Sequence, residues 1–148
     1  MSYNERRAVA GFITTILISA LYFVYVFERH PAGSAYSADV FHFWGSSILI
    51  LLPVSTAANI IVQIASNISF SMATNEKQTH LLDERDKLIE LKATRNAFYV
   101  FTLGFVLAMG SLVIDWPPSV MFVVLISSGF MAGMAGYVSK LYFFRKGF

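Results

Sequence analysis

Three carboxylates, Asp83, Asp86 and Glu90, recur at spacings of three and four residues in a chain of 148 residues. In a helix turning about 100° per residue they share one face, and Arg85, Lys92 and Arg95 fall on nearly the opposite one. An acidic face of this kind can dock a basic partner protein, with Glu84 and Arg85 completing the patch, while Lys92 and Arg95 sit near anionic lipid headgroups at about 1 kcal/mol per basic residue. A plainer use of the same residues is a solvated helix held by pairs such as Asp83 with Lys87, each worth about 0.2 to 0.5 kcal/mol. Glu76 and His80 stand four residues apart and, with Asp83 and Glu84, could ligate a metal. No compact H-E-x-x-H pattern accompanies them, so no metal is expected.

A second group is polar without charge. Thr56, Asn59, Gln63 and Asn67 follow spacings of three, four and four, which again places them on one helix face. They lie in an apolar stretch, where an amide left unpaired against lipid costs several kcal/mol, so the face must be buried or wet. Hydrogen bonds between helices would satisfy it at about 0.6 kcal/mol each. The same face could also wall a polar pathway for a solute or ion, or a pocket for a polar headgroup.

Other chemistries lack their residues. There is no cysteine, which removes disulfides, thiolate nucleophiles and Cys-ligated metals. No Ser/His/Asp arrangement, Gly-rich phosphate loop or pair of intramembrane carboxylates is present. Membrane glutathione transferases are four-helix chains of similar size, but their E-R-x-x-x-N type of spacing is not matched, since Ile89 stands four positions after Arg85. His30 and His42 belong to one edge of the apolar segments and His80 to the other, which argues against a transmembrane haem pair. No cofactor is expected, and the residues favour a role without catalysis.

The elements that carry these residues follow from composition. The chain is 56% hydrophobic and 14% charged, with a mean hydropathy of +0.60, whereas about 25% of residues are charged in soluble domains. Its apolar residues fall into segments of the length that a helix needs to cross about 30 Å of hydrocarbon. Four spans are expected, over about 8–27, 44–70, 97–114 and 120–144, with Pro53 a candidate kink in the second. The first is read as a retained helix. It is longer than the roughly 7 to 15 residues of a signal-peptide core, and Glu28, Arg29 and His30 separate it from the small residues around Gly33 to Ala38. Residues 81–96 lack Gly and Pro and run into the third span, so a helical extension is expected there.

Ten of the eleven Lys and Arg residues lie before the first span, between the second and third, or at the end of the fourth; Arg29 alone lies on the other side. The positive-inside rule then puts both termini and the 81–96 extension in the cytoplasm. Tyr25, Phe27, Phe41, Phe43, Trp44 and Trp116 are expected as an aromatic belt at the opposite interface. The same basic residues explain a net charge of +2 without nucleic acid as a partner. None of the four spans contains an ionisable residue up to Gly136 in the last, which disfavours the small multidrug transporters and their first-helix carboxylate. Gly129, Gly133 and Gly136, interleaved with Ser128, Ala132 and Ala135, form a small-residue seam for close helix packing, within the bundle or between copies, and a homo-oligomer is expected.

The D-E-R-D stretch at Asp83 to Asp86, followed by Leu88-Ile89, Lys92-Ala93 and a membrane span, resembles the signature of a family of small bacterial four-helix membrane proteins of unknown function. The resemblance implies a multi-pass protein of the bacterial inner membrane with a cytosolic motif, and no particular activity. The sequence as a whole predicts an all-α, single-domain membrane bundle. Its expected role is that of a scaffold or regulator that binds a partner through Asp83, Glu84, Arg85, Asp86 and Glu90; the alternative is a small channel or carrier lined by the polar face of the second span.

Overall fold

Long apolar runs leave the backbone one economical way to satisfy its own polar groups, and the chain takes it in four helices. The computed structural model describes residues 3–30, 36–74 and 84–146. They form α1 (Tyr3–Arg29), α2 (Ala38–Thr74), α3 (Glu84–Val113) and α4 (Pro118–Lys146), with no strand among the described residues. All four are long and apolar enough to cross a membrane. The all-α four-helix architecture matches the expectation. α2 starts six residues before Trp44 and runs unbroken through Pro53. α3 carries its charged start, Glu84 onward, straight into the apolar stretch as one helix. Asp83, Glu76 and His80, and the small residues at 33–35, lie outside the described residues.

The helix ends are specified locally. Ser37 caps α2, its Oγ accepting the Val40 N–H at 3.4 Å and its carbonyl accepting from Val40 and Phe41. α3 ends in a Schellman motif: the Trp116 N–H donates to the Ser111 carbonyl at 3.1 Å and the Asp115 N–H to that of Leu112 at 3.3 Å. This requires the left-handed region at Asp115, whose φ is 61°. Pro118 then occupies the first position of α4, where its missing N–H leaves nothing unmade.

α4 lies between α1 and α3, and α2 packs on the far side of α1 with only slight contact to α4. The buried residues of α1, Ala8, Gly11, Thr15, Ser19, Tyr22 and Val26, recur at spacings of three and four and make a seam of mainly small side chains. Gly11 admits the Tyr137 ring, Thr15 lies 3.6 Å from where a Cβ of Gly133 would stand, and Tyr22 meets Phe130 at 6.0 Å between ring centroids. The other face of α4 meets α3 just as closely. A Cβ on Gly104 would overlap the Ser128 side chain, and one on Gly136 would stand 3.5 Å from the Ala97 Cβ. Thr15, Ser19, Ser111 and Ser128 are buried here and donate to carbonyls three or four residues back in their own helices, whereas the buried Tyr22 hydroxyl has no hydrogen-bond partner.

The end carrying Arg29, His30 and the α3–α4 turn is knit by aromatic rings. Trp44 stacks on Phe122 at 5.6 Å and 10° between planes, and His30 meets Trp44 edge-on at 5.8 Å while its Nε2 lies 3.3 Å from Ser119 Oγ. Trp44 is therefore core rather than interfacial belt, buried beside Tyr22, Val26, Val40 and Ile126; the ring it meets on α4 is what the sequence alone does not reveal. Phe43 packs half-buried against the same cluster, and Tyr25, Phe27, Phe41 and Trp116 are exposed.

Candidate functional site

The opposite end holds the start of α1, the second half of α2, the start of α3 and the end of α4, and there the polar residues find one another. Asn4 of α1 donates through Nδ2 to Asp86 Oδ2 of α3 at 2.9 Å. Glu90, one turn on in α3, pairs with Lys140 Nζ of α4 at 3.1 Å. One turn back in α4, the Tyr137 hydroxyl donates to Asn59 Oδ1 of α2 at 3.2 Å. One turn on in α2, Gln63 Oε1 accepts a hydrogen bond from Arg7 Nη2 of α1. These four links close a ring through all four helices, joining α1 to α3 even though those two helices do not pack along their lengths.

The ring surrounds a pocket of about 170 Å³, lined by Asn4, Arg7, Gln63, Asp86, Glu90, Tyr137 and Lys140 with Ala8, Ile89 and Phe144 as its apolar surfaces. Each wall is fixed from behind. Ile89 and Ala93 are buried and seat the first turns of α3 against α4. Asn96 Nδ2 donates to Ser139 Oγ at 3.1 Å in the same interface. Asn59 Nδ2 donates to the Ser55 carbonyl at 2.9 Å, which turns its oxygen toward Tyr137.

The charges around the pocket are not equivalent. Glu90 and Lys140 neutralise each other. Arg7 is held by a neutral amide, that of Gln63, and Asp86 by another, that of Asn4. Among the described residues neither the guanidinium nor the carboxylate is paired with an opposite charge. The pocket thus presents one cation and one anion whose charge remains available.

Two separate sequence signals converge here. From the polar face of α2, Asn59 and Gln63 reach the ring, whereas Thr56 donates to the Leu52 carbonyl of its own helix and Asn67 is exposed. From the acidic face of α3, Asp86 is half-buried against Asn4 and Glu90, though exposed, pairs with Lys140, while Glu84, Arg85 and Lys87 are exposed with Leu88 and Leu91. Arg95 is exposed, and Lys92 lies half-buried with its ammonium 5.8 Å from the Phe143 ring centroid. The small-residue seam divides as well: Gly133 faces α1, Gly136 faces α3, and Gly129 is exposed with nothing within 4 Å of a Cβ placed there. Among the described residues no group of three His, Asp or Glu side chains is placed to hold a metal.

Asn4, Arg7, Tyr137 and Lys140 complete the site without having been singled out as site residues in the sequence. Their signal is spacing: Tyr137, Lys140 and Phe144 share a face at intervals of three and four, as do Asn4 and Arg7 at three. Comparison with known proteins gives no match, whether to a family model, a curated protein or a solved structure.

Proposed function

We propose that this chain is a multi-pass protein of a bacterial inner membrane, with both termini in the cytoplasm, that binds a small polar ligand without transforming it in the pocket at its charged end. The observation that carries this reading is the ring Asn4–Asp86, Glu90–Lys140, Tyr137–Asn59 and Gln63–Arg7, which draws one or more polar residues from every helix around a single opening. Helix packing alone could use hydrogen bonds anywhere along the seams. Here four links between different helices gather at one end and involve every helix, and two opposite charges face the opening with neutral partners only. The orientation rests on the ten basic residues that flank this end in the sequence.

A pocket that receives a polar ligand must hold water when empty, and the absence of native cysteine makes that testable. Single cysteines at Gln63 and Asn59, reacted with a membrane-impermeant thiol reagent, are expected to label, because the thiolate forms only where water reaches it. A cysteine at Ile64, one position further and exposed on the outer surface of α2, is expected to stay silent under lipid. Silence at both Gln63 and Asn59 would mean a dry packing face and would end the pocket reading.

A second reading has its own observation. Leu88 and Leu91 are exposed beside Glu84, Arg85 and Lys87 on a helix whose inner side is fixed by Ile89 and Ala93. That strip is a rigid, mixed apolar and charged face of the kind a partner protein could dock on. Charge reversal at Glu84 and Arg85 that leaves every co-purifying protein unchanged would exclude it.

A further inference from the structure

We infer that the ligand of this pocket is a small zwitterion, carrying a primary ammonium at one end and an anionic oxygen group at the other. The inference rests on the ligand-pocket reading and adds the chemical class. The Arg7 guanidinium has five N–H donors and gives one of them to Gln63, so it retains donors for a phosphate or carboxylate. Asp86 Oδ2 accepts from Asn4, and its remaining acceptor sites suit an ammonium. Both line the same pocket, from α1 and α3 respectively. A simple anion would satisfy Arg7 and meet Asp86 as a like charge; a simple cation would do the reverse. A zwitterion satisfies both, and the Glu90–Lys140 pair leaves the balance neutral.

Size limits the ligand further. The pocket of about 170 Å³ has room for several waters. It falls below the roughly 300 to 1,000 Å³ of sites for drug-sized molecules. That admits a headgroup such as phosphoethanolamine, or a free solute of the same chemistry, with Ala8, Ile89 and Phe144 lying against its carbon atoms. A quaternary ammonium has no N–H to give Asp86, so a choline headgroup is expected to bind more weakly.

The test uses the full chain purified in detergent. O-phosphoethanolamine is titrated against the wild type, with inorganic phosphate and ethanolamine as the separate halves, and binding is read by calorimetry. A parallel arm uses nanodiscs of phosphatidylethanolamine or phosphatidylcholine and reads retained lipid by native mass spectrometry. Binding of the zwitterion well above either half, lost about tenfold or more in Arg7→Gln and in Asp86→Asn, is the expected result, since each removes a charge-assisted hydrogen bond. Where Asp86→Asn fails to fold, Arg7→Gln tests the proposal from the other side of the pocket. Binding of the free compound identifies a solute, and selective retention of phosphatidylethanolamine alone identifies a lipid headgroup; both support the class. Phosphate binding as tightly as the zwitterion, or undiminished binding in the variants, overturns it. Labelling at Gln63→Cys with no zwitterion bound in either arm overturns the ligand class and leaves the wet pocket standing, whereas silence at both Gln63→Cys and Asn59→Cys removes both.

Discussion

The Tyr137 hydroxyl on α4 donates to Asn59 Oδ1 on α2 at 3.2 Å, linking two helices whose backbones barely touch. The bond does what packing does not: it brings the polar face of α2 to the ring and leaves the apolar faces outward. Tyr137 can reach that far because Gly11 of α1 makes room for its ring.

Removing either partner leaves the other without its bond across the two helices. Tyr137→Phe and Asn59→Leu are each expected to cost about 1 kcal/mol, seen as a melting temperature lower by about 2 to 8 °C in detergent. The double variant is expected to cost less than the two losses added together, with a coupling of about 0.6 kcal/mol. Full additivity would show that the two side chains act independently.

Glycines at two points of the bundle are expected to behave in opposite ways. Gly104 faces Ser128 so closely that any Cβ collides, and Gly104→Val is expected to destabilise by about 1 to 3 kcal/mol through overpacking. Gly129 meets open space, so Gly129→Ala is expected to be neutral or to stabilise by up to about 1 kcal/mol through helix propensity. Thermal melts of the two purified variants distinguish these outcomes.

Asp115 holds the left-handed position of the Schellman turn at φ 61°. Gly adopts that conformation without a Cβ penalty, so Asp115→Gly is expected to raise stability by up to about 1 kcal/mol, and Asp115→Val to lower it by at least as much. Equal melting temperatures for the two variants would show that the turn relaxes to another conformation.

The Glu90–Lys140 pair is partly exposed, with 59% and 28% of the two side chains accessible, so solvent screens it. Glu90→Gln is expected to cost no more than about 1 kcal/mol, and the cost is expected to shrink as salt is raised. A loss that is large and independent of salt would mean that the pair organises the pocket more deeply than its distance implies.

The four helices were legible because apolar runs of about twenty residues admit few other structures, and the continuous α3 because residues 84–96 carry no Gly or Pro. The acidic face of α3 and the polar face of α2 were legible too, each by its period. Their meeting was not, since Gln63 and Asp86 are brought to one pocket by the way α1 and α4 pack between their helices. Arg7 and Lys140 carry an orientation signal that masks their role in the site, because a basic residue at the end of a span has a sufficient reason to be there. Trp44 misleads in the same manner: an aromatic residue near a helix start reads as interfacial until Phe122 is seen stacked on it.

Polar side chains close a ring through all four helices, and the join between α1 and α3 is the link that packing does least to explain. Cysteines replacing Asn4 and Asp86 in an otherwise cysteine-free chain, treated in membranes with a short reagent that bridges two thiols, are expected to cross-link within one chain. Cysteines at Leu21 and Leu103, seventeen residues further along each helix and exposed, are expected not to, because α1 and α3 stand on opposite sides of α4 there. Cross-linking at the first pair and none at the second supports the ring; failure at the first pair, or equal reaction at both, contradicts it.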